Sequence, residues 1–358
     1  MRERDNTLDL IKGIAIILVC LYHTYYLNKE GIPYVALYSL CSIGVPLFFF
    51  VNGALLFTSP LDIKKHYKKI GKLCLLTIIW AILILGTIKI FILPKGEMSW
   101  PEFVKTLWYL KTGYVINQYW FLQALIMLYI FFPVLKRTFD SDKCSLALFA
   151  VIIFLFTFGN KFLYVAHQII LFWQGKGLME TVKNYIPWYN CLYNMHYAFA
   201  FSYFLVGGLM YHYIRNRSAS LENNFIRYKS TLFITFFLAW WLSVQIAQWF
   251  TSAMTWDPCF EGYDLVTTFL MTYSFCLVVT NVQIERLPHW IALVSRNTLG
   301  IYLIHGILIY ITKPWISALS SLHNIFCYTL YVAVILTVSL FIVLVAKQVP
   351  LIKLLFKF

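Results

Sequence analysis

Two ionisable residues stand out inside an otherwise apolar stretch: Lys12 and His23, within LDLIKGIAIILVCLYHTYYL over 8–27. A helix advances about 1.5 Å and about 100° per residue, so eleven steps bring both side chains to one face, about 16 Å apart. That face carries a cation near one membrane surface and a titratable imidazole near the other. An imidazole changes charge near neutral pH, which suits it to take a proton from a hydroxyl or to attack a carbonyl itself. Plainer readings stand beside this one. Lys12 is close enough to the helix start to snorkel into the headgroups, and His23 fits a hydrogen-bonded bundle histidine. An ionisable residue within a span is nonetheless a functional candidate by default, and here two share one helix.

Other positions carry weaker signals. His305 closes the stretch NTLGIYLIH at 297–305, where a structural histidine competes with one that contacts an acceptor. The densest basic cluster, KKHYKK at 64–69 with Lys72, reads as a stop-transfer flank and lipid anchor, or as a phosphate-binding mouth through Lys69 and Lys72. In GVPLFFFVNG at 44–53, Gly44, Pro46 and Gly53 predict close helix approach and a break, with Asn52 as a buried hydrogen-bonding group. Trp120 opens the fourth apolar stretch, where an interfacial anchor is the ordinary role for such a ring.

The elements that position these residues follow from composition. The chain has 358 residues, 61% hydrophobic and 12% charged, with a mean hydropathy of +0.72, values that describe a protein of lipid rather than water. Ten apolar stretches of spanning length are expected, at about 8–27, 39–58, 70–93, 118–136, 145–165, 198–214, 230–251, 264–281, 291–312 and 325–346. The fold class is therefore an all-α polytopic bundle of about ten transmembrane helices. Residues 1–358 are expected to form one membrane-embedded domain with no appended soluble domain. With both termini cytoplasmic, nineteen Lys and Arg fall inside and eight outside, and Lys12 and Lys89 lie within spans, which accounts for all 29. Lys136 belongs to the inside set and Lys161 to the outside set. The net charge of +14 then reflects topology and attraction to anionic lipid, not a nucleic-acid footprint. Arg2 and Arg4 precede an apolar run too long for a signal peptide, and no small-x-small cleavage site follows. The eight cysteines are scattered singly without CxxC, so no metal site or disulfide framework is indicated; Cys191 and Cys259 are the two in outer loops.

Taken together, these segments resemble the acyltransferase family 3 membrane proteins, which O-acylate surface glycans. The resemblance rests on Lys12 and His23 separated by ten residues in the first span. GVPLFFFVNG, YWFLQALIMLYIFFP at 119–133 and NTLGIYLIH follow in family order, so it covers essentially the whole chain. It implies transfer of an acyl group, usually acetyl, from cytosolic acyl-CoA to a glycan hydroxyl on the outer side. His23 matches the family's essential histidine and Lys12 its basic partner. The family's Arg-x-x-Arg at the third span is met here by Lys69-Ile70-Gly71-Lys72, which keeps the charge but loses bidentate phosphate geometry. A fourth-span glutamate of larger members is absent around Gln123.

A thioester of CoA has a polyanionic nucleotide end and a long pantetheine arm, so Lys12, Lys69 and Lys72 at the cytoplasmic mouth would meet its phosphates. Acyl-CoA enters as a donor substrate, and no tightly bound cofactor or metal is expected. His23 would deprotonate the sugar hydroxyl for direct attack, or carry the acyl group transiently. Asp9, Asp257, Glu261 and Asp264 are the carboxylates considered as its orienting partner, with Asp9 too far along the same helix. Trp120, Trp173, Trp188, Asp257 and His305 are the candidate acceptor contacts. Of these, Trp173 and Trp188 belong to an aromatic outer loop at 166–197 whose rings suit sugar stacking or interfacial anchoring. The expected partners are acyl-CoA, a glycan or lipid-linked oligosaccharide, and membrane lipid. A glycan flippase or transporter, and a glycan polymerase, are the competing classes. The first would normally show inverted repeats, and the second an arginine-bearing outer loop.

Overall fold

The computed structural model describes residues 5–24, 32–92, 98–109, 118–175, 197–216, 219–253, 262–282, 284–319 and 325–353, and these contain helices and no strand. In chain order they are α1 (Asn6–Thr24), α2 (Ile32–Cys41), α3 (Gly44–Phe57), α4 (Ile63–Thr87), α5 (Trp100–Tyr109), α6 (Trp120–Ser141), α7 (Lys143–Trp173), α8 (Ala198–Arg215), α9 (Ala219–Ala253), α10 (Val266–Thr280), α11 (His289–Arg296), α12 (Thr298–Leu319), α13 (Ile325–Ala346) and α14 (Pro350–Lys353). Each of the ten apolar stretches contains helix among its described residues, but not all qualify as spans. Seven helices are long and apolar enough to cross a membrane, counting α2 and α3 together as Val35–Phe57, and α11 with α12 adds an eighth only as a pair bent by 80°. The stretches at 198–214 and 264–281 are α8 and α10, which fall short of that measure. By length and composition, seven or eight of the expected ten spans are therefore met among the described residues.

Two helix starts are set by aspartates. Asp62 accepts the Lys65 backbone N–H at 3.0 Å, and Asp142 accepts those of Cys144 and Ser145 at 3.0 and 3.2 Å. The Lys65 N–H holds the Asp62 carboxyl below the usual carboxylate range, and the Ser145 hydroxyl and N–H do the same for Asp142. With Asp62 as the cap, KKHYKK forms the first turns of α4, the helix that carries the third apolar stretch.

The chain divides into two compact units. One comprises His23–Asn28, Leu61–Pro133 and Leu293–Phe358. In it α12 packs on α13, with Ile304 and Val343 buried together against Trp80 of α4, Leu308 and Ala346. The bend between α11 and α12 falls at Asn297, which is 5% exposed. Its amide donates to the Leu293 carbonyl at 2.7 Å, and its oxygen accepts Lys347 Nζ at 2.5 Å, so a side chain and a lysine serve the broken helix. α5 has no counterpart among the expected elements. It presents Trp100, Val104 and Trp108 outward, and Lys89 lies over the Trp100 ring at 4.7 Å.

The other unit comprises Met1–Tyr22, Lys29–Pro60 and Val134–Ala292. Its centre is the contact of α3 with α8. A Cβ on Gly53 would overlap the Phe204 carbonyl, one on Gly207 would overlap the Phe50 carbonyl, and one on Gly208 would enter the Phe57 ring. Gly44 packs against α1, where a Cβ would lie 3.1 Å from Leu18 Cβ. The predicted break precedes Gly44, at Ser42–Ile43, and Pro46 sits in the first turn of α3, where its missing N–H has no intrahelical partner to lose. Asn52 is half-buried and donates to Phe48 of its own helix at 2.8 Å. Lys136 is buried rather than in a cytoplasmic loop: Nζ donates to the Phe57 carbonyl at 2.9 Å and pairs with Asp140 at 2.6 Å, closing the C-terminal end of α3. The glycine contacts generate a contrast. Gly207→Ala should destabilise the protein by about 3 kcal/mol. Gly71→Ala, with nothing within 4 Å, should be neutral or stabilise by up to about 1 kcal/mol. Thermal unfolding of the detergent-purified variants measures both.

Candidate functional site

α1 runs unbroken from Asn6 to Thr24, so the expected placing of Lys12 and His23 on one helix holds. His23 lies in its last turn, with its ring beside that of His305 on α12: the centroids are 5.2 Å apart and the planes 41° apart. His305 is fully buried. Its Nδ1 lies 3.1 Å from the Ile301 carbonyl one turn back, and because a carbonyl only accepts, the proton is on Nδ1 and Nε2 is a bare lone pair. That Nε2 has no hydrogen-bond partner among the described residues. A buried acceptor without a donor costs about 1–3 kcal/mol.

The turn that carries His305 is firmly held. The Tyr302 hydroxyl donates to the Gln118 carbonyl, its ring lies 5.8 Å from that of His305, and Phe121 meets it edge-on at 5.3 Å. Gly306 presses on the Gln118 amide so closely that a Cβ would overlap it. The sequence stretches QYWFL and NTLGIYLIH are thus one structural piece, with Gln118 and Gly306 as contacts that spacing alone did not reveal. Trp120 is half-buried with its ring edge-on to Phe121 at 6.5 Å.

The cations are arranged differently from a simple basic mouth. Lys12 pairs with Asp9 at 2.6 Å, and the carboxylate is the more buried partner, 6% against 22% exposed by side chain. Asp9 therefore belongs to Lys12. On α4, Lys69 is half-buried with Nζ 5.2 Å above the Tyr129 ring, and Lys72 is exposed one turn further on. Between the exposed lysines, His66 turns inward and is 7% exposed. Its Nε2 is 2.7 Å from the Tyr129 carbonyl, so the ring N–H donates there. Pro133, four residues after Tyr129 inside α6, has no N–H to offer that carbonyl, and His66 supplies the missing donor. No periodicity announces this; the signal was a proline inside a span and a histidine among lysines.

The remaining candidates are scattered. Asp264 lies 3.7 Å from Lys161, and that pair is largely buried, so Lys161 sits within α7 and not in an outer loop. α7 extends through Trp173, which is 84% exposed, so residues 166–173 of the expected aromatic loop are helix. Trp188, Asp257, Glu261, Cys191 and Cys259 lie outside the described residues. Among those described, no group of three or more His, Cys, Asp or Glu could hold a metal ion.

An acyltransferase-domain family matches residues 5–344, nearly the entire chain. The chain belongs to acyltransferase family 3. No curated protein and no solved structure gives a significant match. The protein is an integral membrane acyltransferase, and the match spans Lys12, His23, Lys69, Lys72 and His305 alike.

Two double-variant experiments follow from this acyltransferase's contacts. His66→Ala should cost about 1–3 kcal/mol by orphaning the Tyr129 carbonyl. Adding Pro133→Ala, which restores a backbone N–H, should recover most of that loss in thermal unfolding. Lys12→Met should unfold or deplete the protein because it removes the cation paired with the buried Asp9, a penalty of about 3–5 kcal/mol for a buried pair. Asp9→Asn with Lys12→Met should restore abundance in the membrane. If activity returns as well, Lys12 serves only Asp9; if the KM for the acyl donor stays raised, Lys12 also contacts the donor.

Proposed function

We propose that this acyltransferase moves an acetyl group from cytosolic acetyl-CoA to a hydroxyl of a cell-surface or lipid-linked glycan, with His23 as the general base. The protein would reside in a bacterial cytoplasmic membrane with both termini inside, and the acceptor would reach it on the outer side. One observation carries the reading: an imidazole near the end of the first span stands beside a second buried imidazole whose lone pair is unused. That pairing suits proton handling more than packing.

In the reaction His23 takes the hydroxyl proton as the sugar oxygen attacks the thioester carbonyl. The carbon–sulfur bond breaks, and the proton passes to the thiolate, leaving an O-acetyl ester and CoA thiol. In the rival route His23 itself receives the acetyl group before the sugar oxygen takes it. Lys69 and Lys72, side by side on α4, support a role in meeting the donor's phosphates. Lys12 joins them to the extent that Asp9 leaves its charge available.

Vesicles carrying wild type or His23→Ala at matched abundance, given radiolabelled acetyl-CoA, test the proposal. Label in membrane glycan should fall by about 10²–10⁴-fold in the variant, the range for loss of a general base. Equal labelling in both would overturn it. A stoichiometric burst of CoA release without acceptor would assign the acyl-histidine route.

A further inference from the structure

Building on the proposal that His23 is the base, we infer that His305 is its positioning partner, with Nε2 of His305 accepting the N–H of His23. Three features carry this. The Ile301 carbonyl fixes the proton of His305 on Nδ1, so Nε2 is an acceptor and not a donor. That nitrogen is buried and unpartnered among the described residues, and the donor nearest in kind is a ring with its centroid 5.2 Å away. With His305 held at Nδ1, turning the His23 ring is the movement that would close an N–H···N hydrogen bond. The turn bearing His305 is fixed by Tyr302, Gln118 and Gly306, so it forms a rigid reference for a ring at the end of another helix.

The chemical consequence is specific. Bonding through one nitrogen would put the lone pair of His23 on the other, the atom that would take the proton of the acceptor hydroxyl. When that lone pair takes the proton, the N–H···N bond shares the new positive charge. This is the office a carboxylate holds in other catalytic triads. A neutral imidazole performs it here without burying a permanent charge in an apolar bundle. The carboxylates Asp9 and Asp264 are paired with lysines and are not needed for it.

The test uses the full-length acyltransferase in vesicles, with His305→Phe, which keeps a ring but has no acceptor, and His305→Gln, which restores an acceptor oxygen. His305→Phe should lower kcat about 10²-fold with the KM for acetyl-CoA within about twofold, and His305→Gln should regain about tenfold of that loss. Because the pair acts as a unit, His23→Ala with His305→Phe should be no slower than His23→Ala alone. Unchanged kcat in both His305 variants overturns the inference, as does a loss that is multiplicative with His23→Ala. A total loss in His305→Gln equal to that of His23→Ala also overturns it, making His305 itself the proton acceptor. If His305→Phe fails to accumulate, His305→Gln alone decides: a kcat within about tenfold of wild type supports the positioning role. His23→Ala with full activity would instead defeat the functional proposal itself, a result distinct from any of these.

Discussion

A backbone carbonyl or amide inside a bilayer has no water to turn to, and every departure from a regular helix must be answered from within the protein. This protein departs from regularity at several points and answers each with a side chain. Pro133 frees the Tyr129 carbonyl, and His66 meets it. α3 ends at Phe57, and Lys136 takes that carbonyl. α11 and α12 meet at an 80° bend at Asn297, whose amide serves Leu293 while Lys347 serves the amide oxygen. These polar residues are the conditions under which broken helices exist in lipid.

Against that background the unused lone pair of His305 has a different standing. Tyr302, Gln118 and Gly306 surround its turn with satisfied or close-packed contacts, so the orphan is not the product of loose packing. Its Nε2 stays open within a turn whose backbone is closely held. Beside it stands the histidine that the family resemblance brings forward as essential.

Much of this was legible from the residues. Long apolar runs located the long helices but not α5, because helix formation in lipid follows composition closely. Lys12 and His23 kept their helical spacing because nothing between them breaks α1. What the sequence hid depends on partners far apart in the chain. Lys161 looked like a loop cation but is buried in α7 with Asp264, 103 positions on. His66 was submerged in a run of lysines, since a basic cluster has no visible inner face until the helix phase is known. Whether an apolar helix counts as a span depends on length and mean hydropathy together: α10 has only 15 residues, and α8 has the length but not the hydropathy.

The reciprocal fit of α3 and α8 has a mechanical corollary. Gly53 receives the backbone of α8 at Phe204, and Gly207 receives the backbone of α3 at Phe50, so each helix is notched for the other. Sliding or rolling along that seam would drive main chain into main chain, a collision that no side-chain rotamer relieves. The two helices must therefore travel as one rigid body. Any rearrangement that admits a donor or releases a product falls to other segments of the bundle, and the seam sets the fixed frame against which such movement is measured.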